Sequence, residues 1–246
     1  TIRSKAVGSD QKLMTEPDGE VIHVNMIEKL LVPVLAKLSN FVPEAGIWLN
    51  TQRPEWNDAN NALAGYGASV VTLNYLHRHL SFLEDWLTGT DFDSVSLSES
   101  VYDYFTAIQT ILESNQSILL ARINDEDRRQ IQDQLGRAGC DYRQGLYQQG
   151  LSQSGRSLPK DALVEFLELS RSIIAQSIRA NRREDGLYHA YNLLEFKEGR
   201  TEVDTLYEML EGQVAVLSAR LLSATEALEV LEALQASAMY DKNRNS

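Results

Sequence analysis

The sequence is poor in the residues that bind metals or form disulfides. Cys140 is the only cysteine among 246 residues, which excludes an intramolecular disulfide and a cysteine-based metal cluster. The four histidines show no HExxH-type spacing; they are His23, His77, His79 and His189. His77 and His79 lie two apart in a predicted helix and point to different faces, so they do not form a metal pair. We therefore expect no metal site.

Basic residues and long apolar runs are also scarce. Lysine and arginine number 23 against 35 acidic residues, which gives a net charge of −12. Such a chain is repelled by nucleic acid and by anionic membranes, so neither partner is expected, although high charge also simply favours solubility. No apolar run approaches the roughly 18 residues that span a bilayer, and the first residues lack the apolar core of a signal peptide. We expect a cytoplasmic protein.

Apolar residues recur every three or four positions through most of the chain. One example is the stripe Leu163, Phe166, Leu167, Ile173, Ile174 and Ile178. No stretch shows a clear period of two, and residues 186–200 are expected to form a loop with some extended character. The pattern predicts an all-α fold of stacked antiparallel helical hairpins.

Several boundaries follow from local signals. Pro33 is expected to kink the first helix, and Ser98 and Asn124 are expected N-caps. A long helix is predicted from Asp58 to Leu87. We expect a polar lead-in over 1–20, a single helical domain over 21–240 and a frayed tail over 241–246. Because the chain begins at Thr1 without an initiator methionine, we expect an excised segment or a processed chain.

The stretch "RPEWNDANNALAGYG", residues 53–67, differs from the rest because its side chains suit chemistry as well as packing. At a helix start, Asp58 lies beside free N–H groups, and burial near Trp56 or Glu55 could raise its pKa toward that of a general acid. Asparagine amides suit sugar hydroxyls, and Trp56 and Tyr66 offer flat faces for pyranose rings. The alternative interpretation is a helix cap with glycines that serve packing.

The segment "EWNDANNALAGYGASVV" resembles the segment of the cellobiose phosphorylase family that contains its catalytic acid. That family, of inverting disaccharide phosphorylases, has the motif D-W-N-D-G-M-N followed by Gly-x-Gly and a long apolar helix. Trp56, Asn57, Asp58 and Asn61 match the motif in place, whereas Glu55, Ala59 and Asn60 depart from it. The resemblance covers residues 53–87.

The resemblance implies a fold and a set of site residues. The fold would be an (α/α) toroid of six helical hairpins, of which this chain would be a part, with the active site at its mouth. Asp58 would be the general acid. A disaccharide or oligosaccharide would contact Arg53, Glu55, Trp56, Asn57, Asn60, Asn61 and Tyr66. Inorganic phosphate would be the co-substrate of a phosphorylase, and no other cofactor is expected.

The choice between hydrolysis and phosphorolysis decides whether a second carboxylate is needed. An inverting hydrolase uses one to activate water, whereas phosphate is itself the nucleophile of a phosphorylase. Asp185 and Glu195 are the candidates, because they lie in a segment with Tyr188, His189 and Tyr191. The alternative interpretation of that segment is a helix end followed by a packed aromatic loop.

The function predicted from the sequence is cleavage or phosphorolysis of a glycosidic bond by an inverting mechanism, with an isolated chain that could be inactive. The alternative is a non-catalytic helical domain that binds a glycan or pairs with another segment. Its partners would be further helices of a larger protein or a second copy, because half a toroid exposes apolar faces. A plain helical scaffold, in which Asp58 is only a cap, is the third interpretation.

Overall fold

The computed structural model describes residues 15, 19–49, 63, 65–151 and 154–244. The helices in these ranges are α1 Met26–Leu38, α2 Val70–Thr88, α3 Glu99–Ser114, α4 Gln116–Leu119, α5 Asp125–Gln149, α6 Lys160–Ala180, α7 Leu210–Ser218 and α8 Ala224–Ala236. The strands are β1 Phe41–Val42, β2 Gly46–Trp48, β3 Gly67–Ser69, β4 Ser94–Ser98, β5 Gly155–Pro159, β6 Tyr191–Lys197 and β7 Arg200–Thr205.

The all-α prediction is wrong, and so is the (α/α) toroid that the resemblance implied. Five strands form a curled antiparallel sheet in the order β1-β2-β3-β6-β7, and β4 pairs with β5 in a second sheet. The strands β1, β2 and β3 are only two or three residues long, too short to show a period of two in sequence. Strand β6 lies in the segment expected to be a loop, and it pairs along its length with β7.

Several helix boundaries agree with the sequence signals. Asn124 caps α5 by accepting from the Asp127 amide at 2.7 Å, and Ser98 is the residue before α3. The helix predicted to run unbroken from Asp58 to Leu87 is interrupted, because Gly67–Ser69 form β3. The helix α2 begins at Val70, and the Ser69 hydroxyl accepts from the Thr72 amide at 3.0 Å; residues 58–62 lie outside the described ranges. Pro33 lies inside α1, which continues to Leu38. In the described ranges, no helix is both long and apolar enough to cross a membrane.

The main core lies between the helices, and the sheet covers one side of it. Alternation along β6 directs Asn192 and Leu194 to one face, where Leu194 packs with Val42, Ala45 and Ala68. Tyr191 and Leu193 are on the other face and pack with Leu63 and neighbouring apolar residues. We call these the Leu194 face and the Leu193 face. The Leu194 face is turned to α5, because the side chain of Thr201, opposite Phe196, donates to Gln132 of α5 at 2.9 Å.

A buried arginine holds the turn between β1 and β2. Arg128, 6% exposed, donates to the Pro43 carbonyl at 2.9 Å and to the Thr201 carbonyl at 3.0 Å. It also pairs with Glu44 at 3.6 Å and with Asp125. Glu44 has a φ of 60°, and such a left-handed backbone needs outside support. The arginine therefore joins α5, β7 and the turn that leads into β2.

Two asparagines hold the same turn from its other side. The Asn181 side chain donates to the Glu44 carbonyl at 2.9 Å, and the Asn192 side chain donates to the Ala45 carbonyl at 2.7 Å. Asn192 also donates to the Asn181 side-chain oxygen at 2.7 Å. Buried polar groups that satisfy one another in this way specify a single arrangement of the chain. The network thus sets the position of β2 against β6.

A buried histidine should make stability depend on pH. His77 is 1% exposed, and its Nδ1 lies 2.8 Å from the carbonyl of Ala219, so Nδ1 carries the hydrogen. Burial lowers its pKa below the ordinary 6.5. The unfolded chain therefore takes up a proton before the folded chain does as the pH falls. Stability should be unaffected by this group above about pH 6.5 and should decrease below it, by at most about 1.4 kcal/mol per pH unit.

The variant His77→Gln should flatten this decrease, as measured by urea unfolding between pH 7.5 and pH 5. His189 also has a lowered pKa because of burial, so it should account for part of the remaining dependence. The exposed Gln130 on α5 offers a control that has no titrating side chain, and Gln130→Ala should keep the wild-type profile. Identical pH profiles for His77→Gln and wild type would contradict the assignment.

Candidate functional site

Described residues from before and after the range 50–62 meet at one place on the sheet. The Leu49 amide donates to the Gly67 carbonyl at 2.8 Å, and the Gly65 amide donates to the Leu49 carbonyl at 2.8 Å. This place is the loop end of the sheet, where β2 and β6 end and β3 and β7 begin. The predicted acid Asp58 lies outside the described residues, as do Arg53, Glu55, Trp56, Asn57, Asn60 and Asn61.

The two glycines of the motif have structural roles beside this loop end. A Cβ on Gly67 would lie 2.5 Å from the Leu63 Cβ and 3.0 Å from the Leu63 carbonyl oxygen, so only glycine fits. Gly65 has a φ of 82°, a conformation that glycine adopts without strain. Gly67 is therefore needed for close packing against Leu63 of the same chain.

Three aromatic residues lie at the loop end. Tyr66 is the one predicted sugar-contacting residue that is described; its ring is 65% exposed, and its carbonyl accepts from the Leu194 amide at 2.6 Å. Trp48 and Phe196 were not predicted as site residues. Their ring centroids are 5.5 Å apart at 63°, an edge contact on the Leu194 face of the sheet. An exposed ring beside such a pair offers apolar surface to a sugar.

Glu195 lies at the same loop end, on the Leu193 face. Its side chain is 68% exposed, and its Oε2 lies 3.3 Å from the Lys197 ammonium. Lys197 also donates to Glu202, directly opposite Glu195, at 2.6 Å, and this bond raises the pKa of Lys197 and lowers that of Glu202. Leu193, two residues before Glu195 on the same face, packs in the cluster that contains Leu63 and Leu49. Glu195 is therefore on the same face of the sheet as Leu49 and Leu63.

Asp185 lies elsewhere, in the turn that precedes the first residue of β6. Both of its carboxylate oxygens accept from Arg183, at 2.8–3.1 Å, and one also accepts from the Leu187 amide at 3.1 Å. The bonds from Arg183 hold the pKa of Asp185 below its usual range. The side chain of His189 lies beside it, and burial lowers the pKa of that imidazole. The two predicted second carboxylates are thus at opposite ends of β6.

The loop end brings together residues that are remote in sequence. Glu195 and Lys197 lie on the Leu193 face and the Trp48–Phe196 pair lies on the Leu194 face, so a ligand contacts both sets only across the end of the sheet. The sequence does not point to Trp48, Phe196, Lys197 and Glu202, because only strand pairing brings them to this end of the sheet. Among the described residues, no three His, Cys, Asp or Glu side chains are grouped as metal ligands would be. In comparisons with known proteins, no family model and no curated protein matches the chain.

Proposed function

We propose that the chain binds a disaccharide or oligosaccharide at the loop end of the sheet and cleaves or phosphorolyses its glycosidic bond. The mechanism is inverting, and Asp58 is the general acid that protonates the leaving oxygen. The observation that supports this most strongly is the pair of hydrogen bonds at Leu49, which join it to Gly65 and Gly67 and so bring together described residues from before and after 50–62. That place is beside Glu195 and the exposed ring of Tyr66.

The proposal does not need a toroid. Inverting chemistry requires an acid, a route for the nucleophile and a surface that holds the sugar, and unrelated folds can supply these. The resemblance of the motif supports the acid, and the exposed Tyr66 at the loop end supports contact with the sugar. Trp48 and Phe196 lie on the face opposite Glu195, so a saccharide contacts them only past the end of the sheet. For hydrolysis, we assign the activation of water to Glu195, because it lies at the loop end on the face that contains Leu49 and Leu63, whereas Asp185 lies at the other end of β6.

The variant Asp58→Asn tests the acid. Turnover of a panel of disaccharides and oligosaccharides, with and without inorganic phosphate, should fall by at least about 100-fold, because an amide cannot donate the proton. Dinitrophenyl glycosides have a leaving group that needs no protonation, so the variant should turn them over far better than natural substrates. Reducing sugar and released dinitrophenolate are the two signals to measure.

The matched control is Asp91→Asn, an exposed acid in the loop before β4. It should behave like the wild type, and circular dichroism should confirm that both variants are folded. Full activity of Asp58→Asn toward natural substrates would refute the acid role. An equal loss on natural and dinitrophenyl glycosides would refute it too, because general acid catalysis predicts a difference between them.

An alternative function is a non-catalytic domain that binds a glycan or pairs with another chain segment. Its support is a set of exposed apolar side chains on α7 and α8, each at least 50% exposed: Leu210, Val214, Leu228 and Leu231. Large apolar side chains exposed together are typical of interaction surfaces. Sugar binding without turnover in calorimetry, or self-association in light scattering, would favour this function over catalysis.

A further inference from the structure

A groove beside the loop end combines aromatic rings with arginines. It lies between the Leu194 face of the sheet and one face of α5, and its cavity is about 400 Å³. The residues from α5 are spaced three or four apart, as residues on one helix face must be. The lining is Ser39, Asn40, Trp48, Arg129, Gln132, Asp133, Gly136, Arg137, Cys140, Arg143 and Phe196.

The charge of this groove is opposite to that of the chain. Three arginines face a single aspartate there, whereas the whole chain has a net charge of −12. Arg129 pairs with Asp133 at 2.8 Å. Arg137 and Arg143 have no carboxylate partner among the described residues, and Arg143 donates only to the Cys140 sulfur, at 3.3 Å. Two exposed guanidinium groups are therefore available to an anion.

The aromatic side of the groove connects it to the proposed sugar site. The Trp48 indole N–H donates to the carbonyl of Gly65 at 3.4 Å. Gly65 is the residue whose amide bonds to Leu49 at the loop end of the sheet. Phe196, in edge contact with Trp48, is 41% exposed. On the opposite wall, Gly136 has no side chain, and apart from its chain neighbours and the backbone of its own helix no described atom lies within 4 Å of the place that a Cβ would occupy. The groove thus has room for a ring between the aromatic pair and α5.

We infer that this groove binds an anionic sugar, a pyranose ring that carries a carboxylate or phosphate group. A planar guanidinium forms paired hydrogen bonds with either group, and the aromatic edge offers apolar contact to the ring. The inference rests on the proposed function for the sugar part of the ligand. It adds that the substrate is an acidic saccharide and that Arg137 and Arg143 select it.

Titration calorimetry on the Asp58→Asn protein tests the inference without turnover. The probes are glucuronate, galacturonate, glucose 6-phosphate, glucose and inorganic phosphate. At least one of the three anionic sugars should bind about tenfold or more tightly than both glucose and inorganic phosphate. In the added double variant R137Q/R143Q, that affinity should fall by at least about tenfold, because two charged hydrogen-bond donors are lost. Raising the salt concentration should weaken binding of the anionic sugar to the protein that keeps both arginines, and it should leave binding to the R137Q/R143Q protein unchanged.

The control is Arg78→Gln, an exposed arginine on α2, which should leave binding unchanged. Both arginines of the double variant are exposed, so its unfolding midpoint should equal that of the control. Failure of all three anionic sugars to bind, equal binding of glucose or inorganic phosphate, or unchanged affinity in R137Q/R143Q would overturn the inference. Those results would not change the outcome of the turnover test on Asp58→Asn. In turn, a turnover test that refuted Asp58 as the acid would not change the measured affinities for the anionic sugars.

Discussion

Replacing Arg128 with alanine should lower the free energy of unfolding by about 3–5 kcal/mol, the usual cost of breaking a buried ion pair. The substitution leaves the Glu44 carboxylate, whose side chain is 14% exposed, without its cation. It also leaves the carbonyls of Pro43 and Thr201 without the donor that they share. Urea unfolding followed by circular dichroism measures the effect as a lower midpoint, and an unchanged slope would show that the unfolded state is the same.

The neighbouring residue provides the matched control for this prediction. Arg129 pairs with Asp133 on the exposed face of the same helix, so Arg129→Ala should cost less than about 1 kcal/mol. In Arg128→Met the apolar volume is kept and the charge is lost, so most of the destabilisation should remain. Adding Glu44→Gln to Arg128→Met should restore part of it, because the unpaired charge is then removed. Equal losses for Arg128→Ala and Arg129→Ala would contradict the role of the buried network.

The variant Glu195→Gln should lower hydrolysis of the natural glycoside, measured without phosphate, by at least about 100-fold. The physical reason is that an amide cannot take a proton from water, and Glu195 is the candidate carboxylate on the sheet face that contains Leu49 and Leu63. A turnover that depends on phosphate should instead survive the substitution, because phosphate is then the nucleophile. Comparing rates with and without phosphate therefore also identifies the reaction type.

Asp185→Asn is the control for this experiment, and it should keep most of the activity. Its carboxylate is bonded to Arg183 and to the Leu187 amide, at the other end of β6 from Glu195. The substitution should cost only a little stability, because the pair with Arg183 is partly exposed. The opposite pattern, in which Asp185→Asn abolishes hydrolysis and Glu195→Gln spares it, would exchange the roles of the two residues.

Prediction from sequence worked where the signal is local. The stripe from Leu163 to Ile178 corresponds to α6, whose buried side is made of those residues. Asn124 was identified as an N-cap because its side chain bonds to an amide only three residues later. The same local rule failed at Gly67–Ser69, where apolar residues on both sides imitate a helical stripe although the three residues pair with β2 and β6.

The candidate site was predictable only in part, for the same reason. The motif is contiguous, so its unusual side chains are visible in the sequence. The choice between Asp185 and Glu195 is not visible there, because it depends on the register that places Leu193 opposite Gly67, the first residue of β3. The arginine groove was also missed, since α5 has the charge pattern of an ordinary solvated helix, and only the approach of Trp48 and Phe196 makes one of its faces concave.

The sequence by itself determined most of the helices and the cap at Asn124, because hydrogen bonds and apolar spacing within a few residues define them. The tertiary structure alone decided the sheet, the side of it on which Glu195 lies and the groove that Arg137 and Arg143 line. Strands as short as β2 and β3 have little stability by themselves. They exist because β6 and the turn held by Arg128 bring distant parts of the chain into register.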